Sequence, residues 1–151
     1  MKRVNLKDKF MRQSAKKSAS PSFAMINVKN LSLRTFIGFN PEEKVKKQDV
    51  VLNIEIKYAI GGNVFQDHIE DALNYKVITK KVIQHVEQGS FLLLEKLTSD
   101  VLRICSDHPS IDSSRVTIDK PQALRFADSV SLTLEYQRTA ASIDNYLERA
   151  S

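Results

Sequence analysis

Tryptophan is missing from this 151-residue chain, cysteine occurs once, and glycine and proline occur four times each. A single cysteine permits no intramolecular disulfide framework and no cysteine-rich zinc module. The glycines Gly38, Gly61, Gly62 and Gly89 match neither a dinucleotide fingerprint nor a P-loop. The histidines His68, His85 and His108 form no His-x-His or His-x-x-x-His pair, so no metal and no cofactor are expected. No apolar run approaches the ~18 residues a membrane span needs, so pore and membrane functions are excluded. What remains is 42% hydrophobic and 27% charged, the composition of a globular domain. A mass of 17.1 kDa is enough to bury one core. A cytoplasmic enzyme or binding domain is the expectation.

The net charge of +5 is unevenly spread. Lys2, Arg3, Lys7, Lys9, Arg12, Lys16 and Lys17 face Asp8 alone in the first 24 residues, while the rest holds 16 basic and 17 acidic residues. Residues 1–22 are therefore expected to be a disordered basic tail, rich in serine and without apolar periodicity. The tail lacks the apolar stretch of a secretory signal and is only loosely like a transit peptide. Met25, opening the first strand-like run, leaves a later start site open. Nucleic-acid binding by the tail is not the expectation, because solvated basic tails are common.

Along the body, residues 23–36 read as a long strand. Ile26 and Val28 share one parity, and Leu31, Leu33, Thr35 and Ile37 share the other, which predicts a β-bulge near Lys29–Asn30. Val50, Leu52, Ile54, Ile56 and Tyr58 alternate with polar residues as a half-buried strand. Val77, Ile78, Val82 and Val86 fall at helical spacing and end at Gly89, a C′ candidate. Ser90 is expected to cap a second helix whose stripe is Leu94, Leu97, Val101 and Ile104, with Cys105 beside it as a small buried residue. Its expected first turn, Phe91 to Leu94, is apolar all round and must be covered from outside its own sheet. Residues 115–120 and 129–137 are two more alternating strands. The order is β-β-α-α-β-β: an α+β domain over residues 23–138, with a four-stranded antiparallel sheet, two helices on one face, and a wet second face. Residues 139–151 form a short tail.

Four polar residues stand at element ends, and each has a bland reading. Glu43 lies in the first loop, where carboxylates are usually solvated. Tyr75 opens a helix and can be a hydrophobic staple. Glu95 can sit at the rim of an apolar helix start. Lys120 ends a strand before Pro121, and edge lysines commonly block strand pairing. His85, near the Ile78/Val82 stripe, is read as a hydrogen-bonded boundary histidine.

Five segments in order change these priors: Leu33-Arg34-Thr35-Phe36-Ile37-Gly38, Asp71-Ala72-Leu73-Asn74-Tyr75, Phe91-Leu92-Leu93-Leu94-Glu95-Lys96-Leu97, Ile118-Asp119-Lys120, and Ala123 to Val130. Together, over residues 24–138, they resemble the dihydroneopterin aldolase family. The resemblance implies a tunnelling fold (T-fold) whose subunits join sheet edge to sheet edge and stack as a homo-octamer, with sites between neighbouring subunits. It implies a small-molecule pterin substrate. Some tunnelling-fold pterin enzymes use zinc, and the histidine and cysteine pattern here argues against that branch.

The resemblance also implies roles. Glu95, with Leu94 beside it, matches the carboxylate that anchors the pterin, since one carboxylate accepts both an amino group and a ring N–H. Tyr75 and Lys120 match the family's proton-handling tyrosine and lysine, and Glu43 the loop glutamate. The implied chemistry is retro-aldol cleavage of a dihydropterin side chain. Epimerisation at C2′ of a triphosphate substrate, with weak cleavage on the side, is the first expectation. Simple aldol cleavage is the alternative, and the pair Lys120-Pro121 resembles the cleaving branch. Arg34 and Arg125 are candidates to grip a triphosphate, against a bland reading as surface salt bridges. An alternative of another class is a non-catalytic tunnelling-fold protein whose tail binds a polyanion.

Overall fold

The computed structural model describes residues 23–139, so the readings of residues 1–22 and 140–151 fall outside the described residues. Strand β1 spans Phe23–Ile37 and pairs antiparallel with β2, Gln48–Ala59. Two short 3-10 turns, Gly62–Gln66 and Ile69–Asp71, lead to helix α1, Tyr75–Gln88. The two-residue strand β3, Ser90–Phe91, precedes helix α2, Leu94–Ser106. Strands β4, Ile111–Lys120, and β5, Val130–Gln137, complete a sheet of order β3-β1-β2-β4-β5. Both helices pack on one face, α1 against β1 and α2 against β4 and β5.

The expected bulge is present. The β1–β2 register shifts between Val28 and Leu31, and Asn30 adopts φ 54°. Asparagine tolerates that left-handed conformation better than most residues. Its N–H, turned out of the ladder, donates to Asn53 Oδ1 at 3.0 Å. The shift of one position is what keeps Ile26 and Val28 on the same face as Leu33, Thr35 and Ile37.

Three local expectations are corrected. The four-stranded sheet gains a fifth member, because β3 pairs parallel to β1 through Phe36–Ser90 and Ile37–Phe91. Ser90 therefore lies in a strand and caps nothing. Helix α2 starts at Leu94 behind Leu93, with no side-chain cap. Gly89 ends α1 in an extended conformation, φ −92°, rather than as a left-handed C′ residue. What demands glycine there is space: a Cβ would lie 2.5 Å from the Phe91 ring and 2.7 Å from the His85 carbonyl oxygen. Helix α1 begins at a cap the sequence reading passed over, with Asn74 Oδ1 accepting from Val77 N at 3.2 Å.

The core lies between the sheet and the helices. Leu52, Ile54, Val82, Leu97, Val101 and Ile118 are almost wholly buried. Cys105 is buried with them, and burial pushes its thiol up to about 12, so it packs as an apolar residue. The opposite face carries Arg115–Glu135, Lys57–Asp112 and the hydroxyl pair Thr117–Thr133. The run Phe91–Leu94 divides. Phe91 is buried in β3, whereas Leu92 and Leu93 are about half exposed.

Candidate active site

A polar cluster forms where the C-terminal ends of β1 and β4 meet the start of β2. Gly38 leaves β1 with φ 125°, a conformation side chains avoid. Its N–H donates to the Phe91 carbonyl at 2.9 Å, which ties the loop to β3. The loop then turns through Asn40–Glu43, with Glu43 N on the Asn40 carbonyl at 3.0 Å. This turn folds the Glu43 carboxylate back over Gly38. A Cβ on Gly38 would fall 2.1 Å from Glu43 Cδ and 2.2–2.3 Å from its oxygens.

Glu43 Oε2 accepts from Lys120 Nζ at 2.5 Å and from Gln48 Nε2 at 3.0 Å. Both side chains of the ion pair are mostly covered, Lys120 to 14% exposure and Glu43 to 19%. The Lys120 hydrogen bond, and after it that of Gln48, holds the Glu43 carboxyl below its usual range, so it is ionised at neutral pH. The hydrogen bonds of the carboxylate to Lys120 and Gln48 are both on Oε2. The strand-edge reading of Lys120 does not apply, because β4 lies between β2 and β5.

Gln48 was missed in the sequence. It also donates to the Ile37 carbonyl at 2.7 Å, so it clamps β1's end and Glu43 together. The signal was there: Gln48 shares the inward parity of Val50, Leu52 and Ile54, an odd place for an amide without a partner to hold.

Leu94 and Glu95 open α2, Leu94 half-buried and Glu95 exposed. A carboxylate in a first turn is favoured by the helix dipole. The Gly38–Phe91 hydrogen bond brings this helix start close in the chain to the Glu43–Lys120 corner, although none of the described contacts joins Glu95 to either residue.

Tyr75 stands apart. It is half exposed and borders a groove of about 640 Å³ with Ile26, Val28, Thr79 and Ile83. Ser90, one end of the Gln88-to-Ser90 connection, pairs with Phe36, two residues before Gly38. Helix α1 runs 14 residues back from there to Tyr75. At 1.5 Å per residue that is about 20 Å, too far for one ligand side chain to touch both Tyr75 and Lys120 of the same chain. Tyr75 and the Glu43–Lys120 corner therefore lie at opposite ends of α1.

Arg34 donates to the Lys47 carbonyl at 3.1 Å and pairs with Asp49 at 3.4 Å, both side chains being more than 60% exposed. That is the surface salt bridge of its bland reading. Arg125 is exposed, its guanidinium 5.5 Å from the Phe126 ring. Neither reaches Glu43, Lys120 or Glu95 in the described contacts. His85 is the hydrogen-bonded boundary histidine expected, with Nε2 at 2.9 Å from Asp100 Oδ2. Among the described residues no group of three or more His, Cys, Asp or Glu is placed to hold a metal ion, and no helix is long and apolar enough to cross a membrane.

The FolB family model, described as dihydroneopterin aldolase, matches residues 26–135. A dihydroneopterin triphosphate 2'-epimerase of Escherichia coli is 52% identical over 115 residues, covering 76% of this chain and 96% of that protein. The Pseudomonas aeruginosa protein of the same description is 48% identical over 118 residues, covering 78% and 96%. A crystal structure of Escherichia coli dihydroneopterin aldolase in complex with neopterin superposes with TM-score 0.70 at 26% identity, covering 75% of this chain and 98% of that one.

Proposed function

The chain belongs to the dihydroneopterin aldolase family, and on that premise we propose that it is an epimerase acting at C2′ of 7,8-dihydroneopterin triphosphate, with weak aldolase activity on the side. The Glu43–Lys120 pair is the observation that carries the chemistry. The 52% and 48% identities to epimerases, against 26% to the aldolase of known structure, favour inversion over simple cleavage.

A dihydropterin places a ring C=N bond beside the side-chain carbon C1′. Loss of the 2′-hydroxyl proton breaks the C1′–C2′ bond. Its electrons form a C1′=C6 double bond, and the ring imine nitrogen takes up the displaced pair with a proton. No Schiff base is needed, because the substrate is its own electron sink. Glu43, ionised and bonded to Lys120 and Gln48 through Oε2, is suited to accept the hydroxyl proton. Lys120, whose Nζ donates to Oε2, is suited to protonate the ring nitrogen or to orient the hydroxyl. The aldehyde fragment then rotates and re-adds through its other face, restoring the bond with C2′ inverted. Release of the fragment, followed by protonation of C1′ and loss of the ring N–H proton to restore the ring C=N bond, instead gives cleavage. The test is the product ratio from dihydroneopterin with and without its triphosphate. Epimer dominating with the triphosphate supports the reading, and free 6-hydroxymethyl pterin dominating with both substrates overturns it. Arg125, exposed in the turn after Lys120, is the better-placed handle for the triphosphate. Arg34 is engaged by Asp49.

We infer that Tyr75 of a neighbouring copy completes the site, in a homo-octamer working in the cytoplasm. Leu92 and Leu93 are uncovered, and β5 and most of β1 have unpaired outer edges among the described residues. Light scattering is expected to find an oligomer, and a stable, active monomer at micromolar concentration would refute this arrangement.

Glu95 with Leu94 is proposed as the pterin anchor. Glu95→Gln turns one acceptor into a donor facing the ligand's N–H. Affinity for a bare pterin should fall by about 1–3 kcal/mol, the usual cost of a polar group left unpaired. A calorimetric titration with unchanged affinity would remove Glu95 from this role.

A further inference from the structure

Between α1 and α2 lies a cavity of about 1120 Å³, bordered by Phe39, His85, Phe91, Leu93, Lys96 and Asp100. Asp100 lines it with a side chain only 5% exposed. A carboxylate so covered is costly unless well paired. It is paired three times: Oδ2 with His85 Nε2 at 2.9 Å, and Oδ1 with Lys96 Nζ at 2.9 Å and Arg103 Nη2 at 3.3 Å. Arg103 lies one turn further along α2, away from the β3 strap. The other two partners lead to the site.

The first branch runs through His85. Its ring packs on Phe91 with centroids 5.6 Å apart. Phe91 supplies the carbonyl that holds Gly38, and Gly38 is the surface on which the Glu43 carboxylate rests. The strap is also pinned from below, with Thr35 Oγ1 donating to the Gly89 carbonyl at 3.2 Å. The second branch runs through Lys96, the immediate neighbour of Glu95 in the first turn of α2. One buried carboxylate thus grips the end of α1 and the start of α2 together.

We propose that Asp100 is a positioning residue that fixes the Phe91–Glu95 segment, and through it both the Glu95 anchor and the Gly38–Glu43 corner. The proposal rests on Glu95 and Glu43–Lys120 serving the reaction described above. Asp100 touches no reacting atom, so its effect passes through geometry. Small displacements of positioned groups lower turnover by up to about 10²-fold.

The experiment uses the full-length protein and compares Asp100→Asn with Arg103→Ala. Three quantities are read: affinity for bare pterin by titration, kcat on dihydroneopterin triphosphate, and melting temperature. Asp100→Asn should weaken pterin binding and lower kcat by about 10-fold each. Arg103→Ala should leave both unchanged, since it loses a partner of the same carboxylate on the side away from the site. An Asp100→Asn protein that melts earlier but binds and turns over as the wild type would overturn the proposal. Should Asp100→Asn not fold, Lys96→Ala and His85→Phe separate the branches. Lys96→Ala should weaken pterin and spare kcat, His85→Phe should lower kcat, and wild-type values in both would again overturn it. A wild-type protein inert toward both pterin and substrate would instead sink the functional reading, and this proposal with it.

Discussion

Lys120→Ala should lower turnover by about 10²–10⁴-fold, the range expected for removal of a positioned acid or base. Affinity for bare pterin should change far less, because the proposed anchor lies on α2 and not on β4. Epimerisation and cleavage should fall together, since both need the same C1′–C2′ bond break. A variant that lost cleavage and kept epimerisation would show that the two outcomes do not share a retro-aldol step. The substitution also has a pH signature. The Glu43 carboxyl is held below its usual range, first by the Lys120 hydrogen bond. A depressed carboxylate adds stability above its unfolded pKa, and that stability is lost as pH falls through the folded value. The stability cost of Lys120→Ala should therefore be present at neutral pH and vanish in acid. Equal costs at both pH values, read from denaturant melts, would mean that the ion pair is not its origin.

The outline of the fold was legible because it depends on period and parity. The bulge at Asn30 followed from a parity switch between Val28 and Leu31, and no other local device keeps one strand's apolar residues on one face. What was not legible depended on partners distant in sequence. Ser90 looks like a helix cap in isolation. Only the nearness of Phe36, 54 positions earlier, makes it a strand residue. The apolar run Phe91–Leu94 reads as helix by composition, yet the strap must stay extended for Phe91 to accept from Gly38.

The site was half legible in the same sense. Glu43 and Lys120 came from resemblance, and they meet although 77 positions separate them. Tyr75 came from the same resemblance but lies at the far end of α1. No spacing rule would have told that it stands a helix length away from them. Gln48 went unnoticed because an amide at a strand's first residue looks like a boundary. Its role appears only once Ile37 and Glu43 are seen on either side of it.

Gly38→Ala tests how that corner is built. The residue has φ 125°, which an alanine adopts only with strain, and such strain costs on the order of 1–3 kcal/mol. That loss should appear as a lower melting temperature. The second effect is local. The new methyl would occupy the place of the Glu43 carboxylate, 2.1 Å from Cδ. The carboxylate is the end of a flexible side chain, so it swings away without forcing the backbone to move. Doing so breaks its bonds to Lys120 and Gln48 and leaves Lys120 without its orienting partner. Turnover should drop by about 10²-fold, the lower end of what a positioned acid or base contributes. A double-mutant cycle separates the two effects. In a Glu43→Ala background there is no carboxylate to displace. Gly38→Ala should there keep only its backbone cost in stability, without the lost ion pair, and cause almost no further loss of turnover. If turnover instead fell by the same factor in both backgrounds, the glycine would act through the path of the β1–β2 loop, and the space it leaves for Glu43 would not be its function.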